Sequence, residues 1–173
     1  MIVLEGLRVV LRRAVEADVD AILELLQSPG VAEWWPDAAR EDVITKTVEG
    51  GGDTVGFVIE VEGAFAGFIQ YWEEDDTAYR HAGIDVALGA GYRDRGVGTD
   101  AVRTMARHLL DDLGHHRVVI DPAAHNARAI RAYEKVGFKR VGVMRRYERG
   151  ADGTWHDSLL MDLLSDDLTQ GRL

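Results

Sequence analysis

The stretch Ala90-Gly91-Tyr92-Arg93-Asp94-Arg95-Gly96-Val97-Gly98-Thr99 joins two different periodicities. An apolar run, Ile84 to Leu88, precedes it, and after it Val102, Met105, Leu109 and Leu113 recur at steps of three and four. The joint therefore reads as a strand, a glycine turn and a helix start. Gly96 and Gly98 carry no Cβ, so the backbone can come close to a ligand, while the first helical amides lack intrahelical partners at the positive end of the dipole. Those features build a pyrophosphate cradle, although a purely structural strand-to-helix turn uses the same residues. No Gly-Lys-Ser/Thr follows, which excludes a Walker loop, and the three-glycine dinucleotide fingerprint is missing as well. What remains is Arg93-x-x-Gly96-x-Gly98.

Elements can be laid out on either side of this joint. Leu7, Val9 and Leu11 alternate with Arg8, Val10 and Arg12, which predicts a first strand over 7–13. Val19, Ile22, Leu25 and Leu26 form the stripe of a helix that Ser28-Pro29-Gly30 stops. Trp34-Trp35 follows in a loop-like segment, and two adjacent indoles cannot share one face, so either one lines a cleft or both pack in the core. Residues 39–48 predict a short helix ended by Gly50-Gly51-Gly52-Asp53. The runs 54–61 and 64–72, parted by Glu62-Gly63, predict an antiparallel hairpin. Glu73-Glu74-Asp75-Asp76 is either a solvated loop or a cation-binding one, and it leads into the strand 79–88. A helix over 98–113, a strand over 116–121, a helix capped by Asn126 and closed by Gly137, and two last strands around Gly150-Ala151-Asp152-Gly153 complete the order. The polar tail from Ser165 is expected to fray. No repeat or linker interrupts the chain, so residues 1–173 read as a single α/β (α+β) domain, a mixed sheet covered by helices.

Composition narrows the function. The 173 residues contain no cysteine, which excludes disulfides, thiolate metal sites and a cysteine nucleophile. The six histidines show no metal-ligand spacing, so no metal is expected. Thirty acidic against twenty basic residues give a net charge of −10, which either serves solubility alone or acts as a field that repels nucleic acid and anionic membrane and attracts cations. Without a signal peptide or a long apolar span, the chain reads as cytoplasmic.

A second motif lies downstream, Asp121-Pro122-Ala123-Ala124-His125-Asn126-Ala127-Arg128-Ala129-Ile130-Arg131-Ala132-Tyr133-Glu134-Lys135-Val136-Gly137-Phe138. Together with Arg93–Gly98 and in the same order, it resembles the acetyl-coenzyme A loop and the Asn-x-x-Ala-x-x-x-Tyr-x-x-x-Gly-Phe segment of the GCN5-related N-acetyltransferases (GNAT). The resemblance covers essentially the whole chain. Within the family the sequence is most similar to the aminoglycoside 6'-N-acetyltransferases, through Glu33-Trp34-Trp35, the acidic run 73–76, Gly83-Ile84-Asp85 and the Asp121–Phe138 segment. The hairpin over 142–163 departs toward protein-amine and siderophore-pathway acetyltransferases, which leaves the acceptor open.

The resemblance implies a GNAT fold, a largely antiparallel mixed sheet flanked by helices, with acetyl-CoA as cofactor. Val86 and Leu88 would offer main-chain groups, Arg93, Asp94, Arg95, Gly96, Val97, Gly98 and Thr99 would form the pyrophosphate loop, and Asn126 would reach the pantetheine arm. Tyr133 resembles the tyrosine that protonates the departing thiolate, although periodicity alone makes it a core residue. Asp85 resembles an aspartate that contacts the acceptor amine and is a proposed base. Its bland alternative is an ion pair with Arg80 or Arg93. Trp34, Trp35, Glu73, Glu74, Asp75, Asp85 and Asp121 are the candidate acceptor residues. The partner implied is a cationic small-molecule amine, with neither nucleic acid nor membrane, and the chain acts as a monomer or homodimer. The same chemistry on a protein or metabolite amine, or a domain that binds acyl-CoA without catalysis, are the competing readings.

Overall fold

The computed structural model describes residues 2–36, 38–49 and 53–171. The expected glycine stop at Gly50-Gly51-Gly52 lies outside the described residues. Eight strands form one sheet in the order β1-β2-β3-β4-β5-β6-β8-β7, namely β1 (Val3–Glu5), β2 (Val10–Arg13), β3 (Thr54–Val61), β4 (Ala64–Glu74), β5 (His81–Leu88), β6 (Arg117–Ile120), β7 (Lys139–Arg149) and β8 (Trp155–Leu164). Every neighbouring pair is antiparallel except β5 and β6. The helices are α1 (Val19–Leu26), α2 (Arg40–Val43), α3 (Val97–Arg107) and α4 (Ala127–Val136), with α2 and α3 each continued by a wider π turn.

Local chemistry explains the connections. Glu62 and Gly63 both have positive φ, 52° and 78°, the geometry of the type I′ turn whose twist matches a hairpin. Asn126 accepts from the Ala129 amide at 3.2 Å and starts α4, and Gly137 at φ 120° ends it, where an added Cβ would strike the Asp167 carbonyl. Buried Asp100 in α3 accepts from the main-chain amides of Arg8 and Val9 at 2.7 and 3.2 Å, which ties the helix to the turn between β1 and β2.

Alternation along the strands sorts the core into two layers. Leu11, Phe57, Ile69, Ile84, Val118 and Met161 meet Val102, Met105 and Leu109 of α3 on one face. Val58, Phe68 and Ala87 meet Val19, Ile22 and Leu26 of α1 on the other. In β5, Ile84 therefore faces α3, whereas Asp85 shares the α1 face with Ala87.

Two expectations need correction. The predicted first strand over 7–13 begins only at Val10, because Gly6 donates to the Val9 carbonyl at 2.9 Å and turns the chain there, and a separate strand, β1, precedes the turn at Val3–Glu5. The tail, expected to fray from Ser165, is tied down as far as Thr169, which donates from its amide to Val136 O at 2.9 Å and from its hydroxyl to Lys135 O at 2.7 Å. Arg103 donates to Thr169 O at 3.2 Å, so the tail caps the carbonyls that α4 leaves open. No helix among the described residues is long and apolar enough to cross a membrane.

Candidate active site

β5 and β6 pair only at Ala82↔Val118 and Gly83↔Val119. Beyond Gly83, β5 continues to Leu88 held by β4 alone, so its far edge presents backbone groups with no strand partner. The gap opens into a cleft of about 320 Å³, at the lower end of small-molecule sites.

The glycine loop forms one wall. Asp94 at φ 57° and Gly96 at φ 78° fold the chain back on itself, and α3 starts immediately after, at Val97. Its first amides have no helical acceptor and stand at the positive end of the dipole. Gly98 lies against β5, and a Cβ there would come within 2.9 Å of Leu88 Cδ1. Val86, Leu88, Arg93, Asp94, Gly96, Gly98, Thr99, Asn126 and Tyr133 all line this cleft. Two other loop residues do not: Arg95 is exposed and donates to Gly91 O at 3.0 Å, and the Val97 side chain is buried in the core. Arg93 turns inward, donating to Leu88 O at 3.2 Å with Nη2 buried and unpartnered.

The roof comes from the segment between α1 and α2. Trp34 and Trp35 both line the cleft, where one at most was expected. Trp35 packs edge-on against Phe68 of the α1 layer at 6.0 Å, while Trp34 lies 5.2 Å from the His125 ring at the start of α4.

Next to the cleft lies a cluster of acids. Asp85 has no arginine partner among the described residues: Arg80 donates to the carbonyls of Leu113 and Gly114, Arg93 to Leu88 O, and Asp85 receives only Gln70 Nε2, at 3.0 Å. Burial raises its pKa, and the Gln70 hydrogen bond opposes the rise only in part. Asp121 is pushed up to about 6, chiefly by burial, then by the charges of Asp85 and Glu148, with the Tyr147 hydroxyl pulling the other way. Tyr133 is held well above the usual phenol range by burial and by the same two aspartates, so at neutral pH its hydroxyl keeps its proton.

Glu148 and Tyr147 of β7 belong to this cluster, and no sequence motif marked them. Burial and the Asp85 charge raise the Glu148 pKa, and burial with the Asp121 charge raises that of Tyr147. The only sequence signal was one acid within Arg145-Arg146-Tyr147-Glu148-Arg149.

The acidic run 73–76 stands apart from the cleft. Glu73 lies opposite Ala82, so it points to the α3 face, away from Asp85, and its carboxylate meets buried His115 Nε2 at 2.6 Å. Glu74 accepts from the Asp76 amide, Asp75 is exposed, and both lie at the end of β5 remote from the glycine loop.

The acetyltransferase (GNAT) domain family matches residues 8–139. The chain is 29% identical over 155 residues to an aminoglycoside N(6')-acetyltransferase type 1 from Klebsiella pneumoniae, covering 79% of this chain and 76% of that protein. A solved structure of AAC(6')-Ib in complex with paromomycin and acetyl-CoA superposes with a TM-score of 0.77 at 27% identity, covering 92% of this chain and 95% of the other. Mycobacterium smegmatis RimJ in complex with CoA-disulfide superposes with a TM-score of 0.80 at 23% identity, covering 98% and 90%, which speaks to the fold alone. With a family match over most of its length, a strand pair that parts at the cleft and a glycine loop opening α3, the chain belongs to the GNAT family and is an N-acetyltransferase.

Proposed function

We propose that the protein transfers acetyl from acetyl-CoA to an amino group of a polycationic small molecule, an aminoglycoside at its 6' amine. The observation that carries the acceptor class is the convergence of Asp85, Asp121 and Glu148 beside the cleft, with no arginine paired to Asp85 among the described residues. Like charges at one site raise one another's pKa and are stabilised by a bound ammonium. The Klebsiella relative supports the choice of aminoglycoside.

The residues fit the donor. The free amides at the start of α3 and the close approach at Gly98 suit a pyrophosphate, and the unpaired edge of β5 over Val86 to Leu88 suits an amide-bearing pantetheine arm and the thioester carbonyl. Acetyl-CoA supplies the acetyl group as a thioester. The chain's own residues do the rest: the acids draw in the ammonium, Asp85 receives its proton directly or through water, and Tyr133 holds a proton for the leaving sulfur. Asn126 orients the arm while capping α4. Trp34 shields the acceptor from water on the roof side. The enzyme is a single domain that acts in the cytoplasm as a monomer or homodimer, without nucleic acid.

Gly98→Val tests the donor loop. The added branches press on Leu88 and the cleft, so acetyl-CoA affinity falls ~10-fold or more while the far-ultraviolet spectrum is kept. Unchanged affinity by calorimetry removes the loop from the account.

Ionic strength and pH test the acceptor site. The Kd of a kanamycin-like acceptor should weaken steadily as salt rises through about 0.1 M, where the screening length is about 10 Å. The acceptor kcat/KM should also climb as pH passes about 6, because Asp121 attracts an ammonium only once ionised. An affinity that ignores salt, together with turnover of N-terminal peptide amines, replaces this acceptor with a protein amine.

A further inference from the structure

β7 and β8 pair in plain register at Gly142↔Leu160, Val143↔Leu159 and Met144↔Ser158, and again at Glu148↔His156 and Arg149↔Trp155. Between the two blocks β7 holds Arg145, Arg146 and Tyr147, while β8 holds Asp157 alone. Two extra residues on one strand form a bulge, which bends the strand and re-aims its side chains.

The count has a chemical consequence. In an unbulged ladder Arg146 would stand opposite His156, and Glu148 would stand opposite Thr154, roughly 7 Å farther along. The bulge moves Glu148 into the place Arg146 would hold. Arg146 and Glu148 are two apart, so the exchange happens on one face, the face that by strand parity also carries Asp85 and Asp121. A guanidinium is replaced there by a carboxylate.

The bulge has a visible clamp. Arg146 sits at φ 50°, a left-handed conformation disfavoured for a residue with a long side chain. Its amide donates to Asp157 Oδ1 at 2.7 Å. The main-chain oxygen of Asp157 accepts from the Ala124 amide at 2.9 Å, in the segment that joins Asp121 to Asn126. One residue thus touches both arms of the acid cluster, Asp121's segment through its backbone and the bulge through its carboxylate.

We infer that Asp157 is a positioning residue whose carboxylate holds the Arg146 bulge, so that Glu148 and not Arg146 faces the acceptor amine. The word acceptor rests on the function proposed above, whereas the clamp is a property of the ligand-free protein.

Asp157→Ala removes the clamp, and Asp157→Ala combined with Arg146→Gly restores the turn by another route, since glycine takes positive φ freely. Asp157→Ala should raise KM for a kanamycin-like amine about tenfold or more and leave KM for acetyl-CoA within about twofold. In the ligand-free protein, the carboxyl ¹³C titration of Asp121 should shift away from its wild-type position as Glu148 and Tyr147 are re-aimed together. The double variant should return both values toward wild type. In the wild-type protein, hydrogen exchange at the Arg146 amide should be slowed. Wild-type KM and Asp121 titration in folded Asp157→Ala overturn the inference. So does a double variant that recovers neither, or an Arg146 amide exchanging at the unprotected rate. If no cationic amine is turned over, the proposed acceptor is wrong, and the titration and exchange readouts still decide the clamp.

Discussion

Tyr133→Phe should lower kcat by ~10- to 1,000-fold and leave the melting temperature close to wild type. The substitution keeps the ring, which packs beside Phe138 at 6.2 Å and lines the cleft, and removes only the hydroxyl. Three effects push the phenol the same way: burial, the Asp85 charge and the Asp121 charge all favour the neutral form. A tyrosine so placed cannot serve as a base near neutral pH, but it retains a proton to give to a departing thiolate. Affinity for acetyl-CoA should change little, because in the proposed mode the loop amides and β5 hold it. A wild-type kcat would return Tyr133 to the core and leave protonation to water.

Asp85→Asn should produce a comparable loss, ~100-fold or more in kcat, together with a raised acceptor KM. Raising the pH should recover part of it, since more of the acceptor amine then arrives neutral. Asn keeps the shape and a partner for Gln70, so packing is preserved. Stability supplies a separate check. Asp85 has a folded pKa above its ordinary value of 3.8, so the folded state favours the protonated form. Its contribution to stability is greatest in acid and is lost as pH rises from 3.8 through the folded value. At pH 7 the Asn variant should therefore melt higher than wild type, and the gap should close near pH 3. A variant with unaltered kcat, KM and melting temperature would make Asp85 a bystander.

These two residues also show how far the sequence could be read. Tyr133 and Asp85 are singled out by the resemblance to the acetyltransferase motifs, since periodicity alone makes Tyr133 a core residue, and strand alternation sets only the face that Asp85 occupies. Trp34 and Trp35 are ambiguous because a loop-like segment has no period, and the structure sets both at the cleft, with Trp35 also packed against Phe68. Glu73 misled. Read as part of a loop leading into the Asp85 strand, it is instead the end of β4, where alternation sends it to the other face and His115 holds it. Glu148 and Tyr147 were invisible because their arrival depends on a bulge, and a two-residue shift leaves the apolar–polar pattern of β7 unchanged. The three-residue β1 was too short to show a period.

The central claim is that the acid cluster beside the glycine loop receives a polycationic amine for acetylation. Its most direct test is the release of coenzyme A thiol from acetyl-CoA by the wild-type protein, with kanamycin, a spermidine-type polyamine and an N-terminal peptide as alternative acceptors, and product masses recorded. The account predicts thiol release that depends on the acceptor and is fastest with the aminoglycoside, whose product carries one added acetyl group. Release confined to the peptide, or independent of any added amine, would contradict it.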